Sequence, residues 1–436
     1  MSLPRYPNYK DSGVEWLGEV PRHWEVTALK RGFNVTLGKM LQPESSSPGD
    51  ELLPYLRAAN IQWNGVDTTE IKQMWMSVRD RAQLNLKSGD LLVSEGGDVG
   101  RSCLWAGELD NCYFQNSVNR VRATDGNSNR FLYYWISTVK NKGYIDVLCN
   151  KSTIAHFTAE KVAAVPVPFP PPVEQVQIVA FLDRETAKID ELVAEQRRLM
   201  ALLKEKRQAV ISHAVTRGLN PDAPLKPSGI EWLGDVPAHW EVKQLKRLAR
   251  LVTGMTPPTD DPDNYVDSEG FQWVRPENLD ESGAPTTATK YLSEKGWEQS
   301  RQIAAGASLI CCIGTIGKVG FTEKVVSTNQ QITAALPHEA SRYLYFALSA
   351  ARLVLELAST GNVLRILNTE RLGSIPFPVP PKQEADSISE HLDKNLAKLD
   401  TLTTEAQRAI DLLQERRTAL ISAAVTGQID VRGAGS

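Results

Sequence analysis

The chain has 436 residues, 42% of them hydrophobic and 23% charged, the proportions of an ordinary globular protein with room for two or three cores. No run of about 18 apolar residues occurs, and the opening residues lack the apolar stretch of a signal peptide, so a membrane span is not expected and the cytoplasm is. The net charge of −3 argues against a protein that grips nucleic acid unaided; a basic partner would have to help hold the phosphates.

In chain order, the first phrase to note is Ser12-Gly-Val-Glu-Trp-Leu-Gly-Glu-Val-Pro-Arg-His-Trp-Glu-Val26. It returns as Ser228-Gly-Ile-Glu-Trp-Leu-Gly-Asp-Val-Pro-Ala-His-Trp-Glu-Val242, 216 residues later. Tyr55-Leu-Arg57 with Asn60 reappears as Trp273-Val-Arg275 with Asn278, and Gly97-Asp-Val-Gly100-Arg101 as Gly314-Thr-Ile-Gly317-Lys318. Pro166-Val-Pro-Phe-Pro-Pro171 matches Pro376-Phe-Pro-Val-Pro-Pro381, now 210 residues later. The chain is therefore a duplication. The spacing is constant within shared stretches and drifts between them, so insertions fall in loops while the framework is kept.

Each copy has two parts. The first predicts short strands, such as Asp90–Ser94 and Ala307–Cys311, with a helix near Arg130–Lys140 and a counterpart at Ala340–Leu357. The second predicts a long helix opened by prolines. Heptads run through Leu182, Ile189, Gln196, Leu203 and Val210 in one helix, and Leu392, Leu399, Ala406, Leu413 and Leu420 in the other. Leu192 and Leu199, with Leu402 and Ala409, stand as companion positions. The expected division is 1–169 globular, 170–217 helix, 218–379 globular, 380–427 helix and 428–436 tail. Two such helices pair best antiparallel about a pseudo-twofold axis, each ~60 Å long at ~1.5 Å per residue. The expected class is α+β: two mixed α/β domains separated by an antiparallel coiled coil. Readers related in this way suit two half-sites on one DNA duplex. Because the copies have diverged, the two words would differ.

The repeated S-G-[VI]-E-W-L-G-[ED]-V-P-x-H-W-E-V phrases carry a resemblance. They are joined by the G-x-[IV]-G turns, Gln115-Asn116 and Asn329-Gln330, the proline stretches and the Ile-Ser-x-Ala-Val-Thr helix ends. Over residues 10–430 the chain resembles the specificity subunit of type I restriction–modification systems. The resemblance implies two target-recognition domains, each binding half of a bipartite, asymmetric site in double-stranded DNA, with the helices setting the spacer. It implies two methyltransferase subunits docked on the helices, carrying S-adenosylmethionine and methylating adenine N6. It further implies motor-nuclease subunits using ATP and magnesium. No cofactor, metal or catalytic residue is implied for this chain. One departure is that Lys39 follows Gly38 where Met255 follows Gly254, so that loop differs between the arms.

The candidate DNA contacts follow from residue type and position. Arg57 and Arg275 repeat at strand ends and serve either DNA or a structural ion pair. Arg101 and Lys318 follow a glycine turn, where a phosphate or only solvent could sit. Gln115, Asn116, Asn119 and Arg120, with Asn329, Gln330 and Gln331, are types that read base edges or equally cap backbone groups. Lys72, Gln73 and Arg79, with Lys290 and Arg301, lie where the copies diverge, as reading loops or unconstrained surface would. Arg197, Arg198, Lys206, Arg207, Arg416 and Arg417 are candidates for partner docking, or a solvated helix flank. His23-Trp24 and His239-Trp240, with Trp16 and Trp232, read as packing rather than as a catalytic pair. The five cysteines (Cys103, Cys112, Cys149, Cys311 and Cys312) include no C-x-x-C pair and read as buried thiols.

Two rivals remain. An independent methyltransferase or nuclease would need a G-x-G-x-x-G, an N/D-P-P-Y/F tetrad, a G-K-[ST] loop or an H-E-x-x-H cluster, and none is present in the sequence. A duplicated adaptor that binds only proteins would suit the near-neutral arms.

Overall fold

The structure is a computed structural model that describes residues 4–149, 156–282, 284–361 and 364–433. It divides into two compact units, Met1–Glu195 with Ala409–Ser436, and Gln196–Arg408. The division falls inside both long helices, so each unit holds one globular part and the helix segments packed on it.

In the first unit a four-stranded sheet runs in the order Ser102–Leu104, Leu91–Ser94, Val118–Ala123, Phe33–Leu37, antiparallel throughout. Its central Leu91–Ser94 strand is buried at all four positions, which is why that stretch reads as a continuous apolar run. Helix Asn129–Asn141 lies against it. Ser128 caps the helix by accepting from Phe131 N, and Phe131, Leu132, Trp135, Ile136 and Val139 are buried at helical spacing. A smaller sheet orders Tyr113–Phe114, Glu51–Leu56 and Lys72–Met76.

The second unit repeats the four-stranded order with Val319–Thr322, Ala307–Cys311, Ile332–Pro337 and Ala249–Thr253. Its counterpart helix is broken into Ser341–Ala350 and Arg352–Leu357. Its smaller sheet has five strands instead of three. The duplicated framework is thus the four-stranded sheet, and the divergence is concentrated in the smaller one.

The Pro-x-Pro stretches are strands. Pro166–Phe169 pairs with Glu25–Ala28, and Pro376–Val379 with Glu241–Gln244. Proline lacks an N–H to donate, and a two-stranded ribbon tolerates it. Through these pairings each repeated opening phrase is tied to the foot of its own long helix.

The long helices are Pro172–Arg217 and Lys382–Val425. In the first unit Ile178, Phe181 and Leu182 share a core with Ile421, Ala424 and Val425. Further along, Asp190 pairs with Arg417 at 2.9 Å, so the segments run in opposite directions. In the second unit Ala385, Ile388 and Leu392 share a core with Ile211, Ala214 and Val215, and Arg207 pairs with Asp400, again antiparallel.

The heptad reading needs one correction. Leu192, Leu199 and Leu402 are 45%, 42% and 46% exposed, whereas Thr186, Val193, Leu396 and Ile410 are buried. The seam continues four residues after each heptad position, not three. Each globular part is also bolted to its helix by an arginine, Arg130 to Asp183 and Arg342 to Asp393. All five cysteines are buried and free. Among the described residues no helix is long and apolar enough to cross a membrane.

Candidate nucleic-acid interface

In each unit, turns that are distant in sequence meet beside the smaller sheet. In the first, strand Glu51–Leu56 ends at Arg57 and passes into a short 3-10 turn, Ala58–Asn60. Asn60 closes this turn: its Oδ1 accepts from Arg57 N at 2.9 Å, and its Nδ2 donates to the carbonyls of Asp67 and Glu70. The second unit repeats the closure with Asn278 Oδ1 and Arg275 N at 3.0 Å.

The glycine turn supplies a cation to that same feature. Gly100 and Gly317 both have positive φ, 81° and 79°, a region costly for side-chain-bearing residues. The next residue, Arg101, donates through Nη2 to Ala58 O at 3.1 Å, and Lys318 Nζ donates to Pro276 O at 3.2 Å. Structure therefore brings Arg57 together with Arg101, and Arg275 with Lys318.

The amide turn completes the cluster. Ser117 Oγ accepts from Ala58 N, Asn116 N donates to Lys39 O, and Lys39 N donates to Phe114 O. A Cβ on Gly38 would overlap the backbone of Gln115, and one on Gly254 the backbone of Asn329. This is why glycine recurs there. In the second unit Met255 N donates to Thr328 O, Thr256 bonds Gln330, and Asn329 Nδ2 donates to Gln331 Oε1 at 2.8 Å.

Charge around the cluster is partly balanced. Arg57 lies 3.5 Å from Glu70, and Arg275 2.7 Å from Glu277. Lys39 pairs with Asp80. Arg301 is exposed and donates to Thr253 O at 2.8 Å, next to the Gly254 loop. Lys72, Gln73, Arg79 and Lys290 are exposed on the divergent sheet and its adjoining segments.

Asn329, 7% exposed with its side-chain amide bonded at both ends to Gln331, does not present its side chain to this surface, and two candidates on one strand of the first unit do not belong to it either. Asn119 is fully buried, with Nδ2 donating to Phe157 O at 2.9 Å. Arg120 is 5% exposed; it donates to the carbonyls of Gln83 and Asn85 and to Thr36 Oγ1, and lies over the Phe114 ring. Burial, with the nearby charge of Arg122, pulls its pKa down to about 10. Both sit on framework strand Val118–Ala123, whose first four residues are buried.

The helix cations also separate. Arg207 and Arg417 are spent on the aspartates described above, so they hold the seam and are corrected from the docking set. Arg197, Arg198, Lys206 and Arg416 are exposed.

Glu174 and Glu384 were not singled out by sequence reasoning. Glu174 accepts from Tyr6 at 2.6 Å and Trp24 at 3.0 Å, with His23 Nε2 at 2.8 Å. Glu384 takes Trp240 at 3.0 Å and His239 at 2.8 Å. Their 210-residue spacing, shared with the proline stretches, was the available signal.

The family model for the type I restriction modification DNA specificity domain matches residues 21–198 and again 237–411. The chain belongs to that family. It is 21% identical to the putative type I restriction enzyme MjaX specificity subunit of Methanocaldococcus jannaschii, over 98% of this chain and 97% of that one. It is 22% identical to the EcoR124I/EcoR124II specificity subunit of Escherichia coli, over 69% of this chain and 72% of that one. A chain from a solved type I R-M system superposes with TM-score 0.70 at 15% identity, covering 93% of this chain and 98% of that chain. The HsdS subunit of Thermoanaerobacter tengcongensis gives 0.50 at 17%, covering 94% and 98%. Each match to the specificity-domain model begins near an opening phrase and extends into a long helix, so both repeats of this specificity-family chain are covered.

Proposed function

We propose that this chain is the DNA-specificity subunit of a type I restriction–modification complex and is itself non-catalytic. Each unit binds one half of a bipartite, asymmetric site in double-stranded DNA. The long helices form an antiparallel coiled coil about a pseudo-twofold axis, set the spacer and dock two methyltransferase subunits. S-adenosylmethionine belongs to those partners, ATP and magnesium to the motor-nuclease subunits, and the assembly works in the cytoplasm.

One observation carries the reading: the same cluster of turns is built twice on one framework with different side chains displayed. In the repeat Lys318 takes the position of Arg101, Met255 that of Lys39, and Asn329-Gln330 that of Gln115-Asn116. A shared scaffold with divergent polar tips is what two readers of unlike words require. Support for the pseudo-twofold comes from the helix pairs, since Asp190 and Arg417 map onto Asp400 and Arg207 by the same 210-residue step. Support for docking comes from exposed Leu192, Leu199 and Leu202 on one helix and Leu402 and Leu412 on the other.

The test replaces residues 1–165 with another family member's arm in the assembled complex. Methylation should change in one half of the site only; a change in both halves, or no preference among randomised duplexes, rejects the reading in favour of a protein-only adaptor.

A further inference from the structure

The loop between Gly38 and Gln42 exposes two apolar side chains at the edge of the candidate interface. Met40 is 75% exposed and Leu41 52%. Both ends of the loop are anchored. Lys39 is fixed by backbone bonds to Phe114 and Asn116, and Gln42 O accepts from Trp75 N at 3.0 Å. Gln42 Nε2 also donates to Ser46 Oγ at 2.9 Å. A two-residue tip between fixed points has little freedom to fold its side chains back, so their exposure belongs to the loop's geometry.

The neighbours of the tip are polar. Asn116 is bonded to Lys39, and Ser117 links it to the Arg57 turn and thus to Arg101. Amides and guanidinium groups read base donors and acceptors, but they leave unread the one apolar mark in the major groove, the C5-methyl of thymine. The geometry points to Met40 and Leu41 as a thymine-methyl contact of the first unit, an inference that rests on the DNA-reading function proposed above. In the second unit the methionine comes one position earlier, at Met255, and is followed by Thr256, bonded to Gln330, and then by Pro257 and Pro258. Met255 is 40% exposed against 75% and 52% for Met40 and Leu41, so that loop displays less apolar surface and the contact is assigned to the first half-site.

The experiment uses the complex assembled with its methyltransferase partner and duplexes carrying the methylated site. Each thymine of the first half-site is replaced in turn by uracil, which lacks only the methyl, and the Met40→Ala/Leu41→Ala double variant is tested alongside wild type. Wild type should bind one uracil-substituted duplex about fourfold more weakly, the value of one buried methyl group. The double variant should bind both duplexes equally. Equal sensitivity of both proteins at every thymine, or a first half-site without thymine, overturns the assignment. A variant that fails to assemble with its partner but keeps wild-type selectivity in what does assemble also overturns it, and makes the tip a protein contact. A wild-type complex with no sequence preference at all rejects the DNA reading itself, a separate failure.

Discussion

The indole of Trp24 donates to the Glu174 carboxylate at 3.0 Å, and 210 residues later in the helix Glu384 takes the indole of Trp240 at the same distance. The opening phrase of each repeat is therefore locked to the first turn of its own long helix, where an acid also complements the helix dipole. The two locks are not equally buried: the Glu174 side chain is 7% exposed and that of Glu384 27%. Replacing a buried acceptor strands its donors, at a cost of about 1–3 kcal/mol. Glu174→Ala should fall at the upper end of that range, because Tyr6 and Trp24 both lose their partner, and Glu384→Ala at the lower end. Denaturant titration of the two variants checks the order.

The helix seam makes a second prediction. Ile189 is 6% exposed and Val193 7%, against 45% for Leu192. Ile189→Ala should destabilise by about 2–4 kcal/mol, while Leu192→Ala should stay within about 0.5 kcal/mol yet reduce capture of the partner. Thermal unfolding read beside co-purification with the methyltransferase separates the two outcomes.

The ion pairs of the seam can be tested by exchange. Arg417→Asp places like charges opposite Asp190 and should cost about 1 kcal/mol, since both groups are partly exposed and solvent screens them. Adding Asp190→Arg should restore most of it. A double reversal that remains as unstable as the single one would show that the pair contributes no mutual attraction.

These residues also show what was legible in the sequence. The duplication, the paired helices and the strands at Leu91–Ser94 and Ala307–Cys311 followed from repetition and apolar runs, which report burial directly. The companion positions did not, because Leu192 and Val193 are both apolar and only the partner helix decides which faces it. The prolines were legible only as the opening of each long helix; the pairing of Pro166–Phe169 with Glu25–Ala28 depends on a strand some 140 residues away. The candidate interface was half legible. Arg57, Arg101 and the Gln115-Asn116 turn stood out singly, but their meeting depends on the Asn60 closure and the Ala58 carbonyl. Asn119 and Arg120 continue the same polar run and yet turn inward, since a strand alternates its faces and this one is covered on both.

Burial governs the thiols. It pushes Cys103 and Cys112 up to about 12 and Cys312 to about 11, from an ordinary value near 9. The folded state thus holds these protons where the unfolded chain releases them, so their contribution to stability is complete below pH 9 and is lost as pH rises from 9 toward 12. At pH 8 a thiol reagent should label none of these three cysteines in the native protein, and all of them after denaturation. Rapid native labelling would contradict the burial of Cys103 in strand Ser102–Leu104, of Cys112 just before strand Tyr113–Phe114 and of Cys312 just after strand Ala307–Cys311.

The arginines at the strand ends separate positioning from reading. Arg57 and Arg275 occupy equivalent turns and each has an acidic neighbour, Glu70 or Glu277, so neither presents a free bidentate fork to a guanine. If they hold phosphates, Arg57→Ala in the assembled complex should weaken binding to all duplexes alike and lower the salt dependence by about one counterion. Gln115→Ala/Asn116→Ala should instead cost about 1–3 kcal/mol at one base pair and relax selectivity there alone. The corresponding Gln330→Ala change should act in the opposite half of the site. Competition binding at two salt concentrations, against duplexes varied one half at a time, reads both effects. An Arg57→Ala complex that lost preference at a single base pair, with its salt slope unchanged, would reassign that residue from the backbone to the bases.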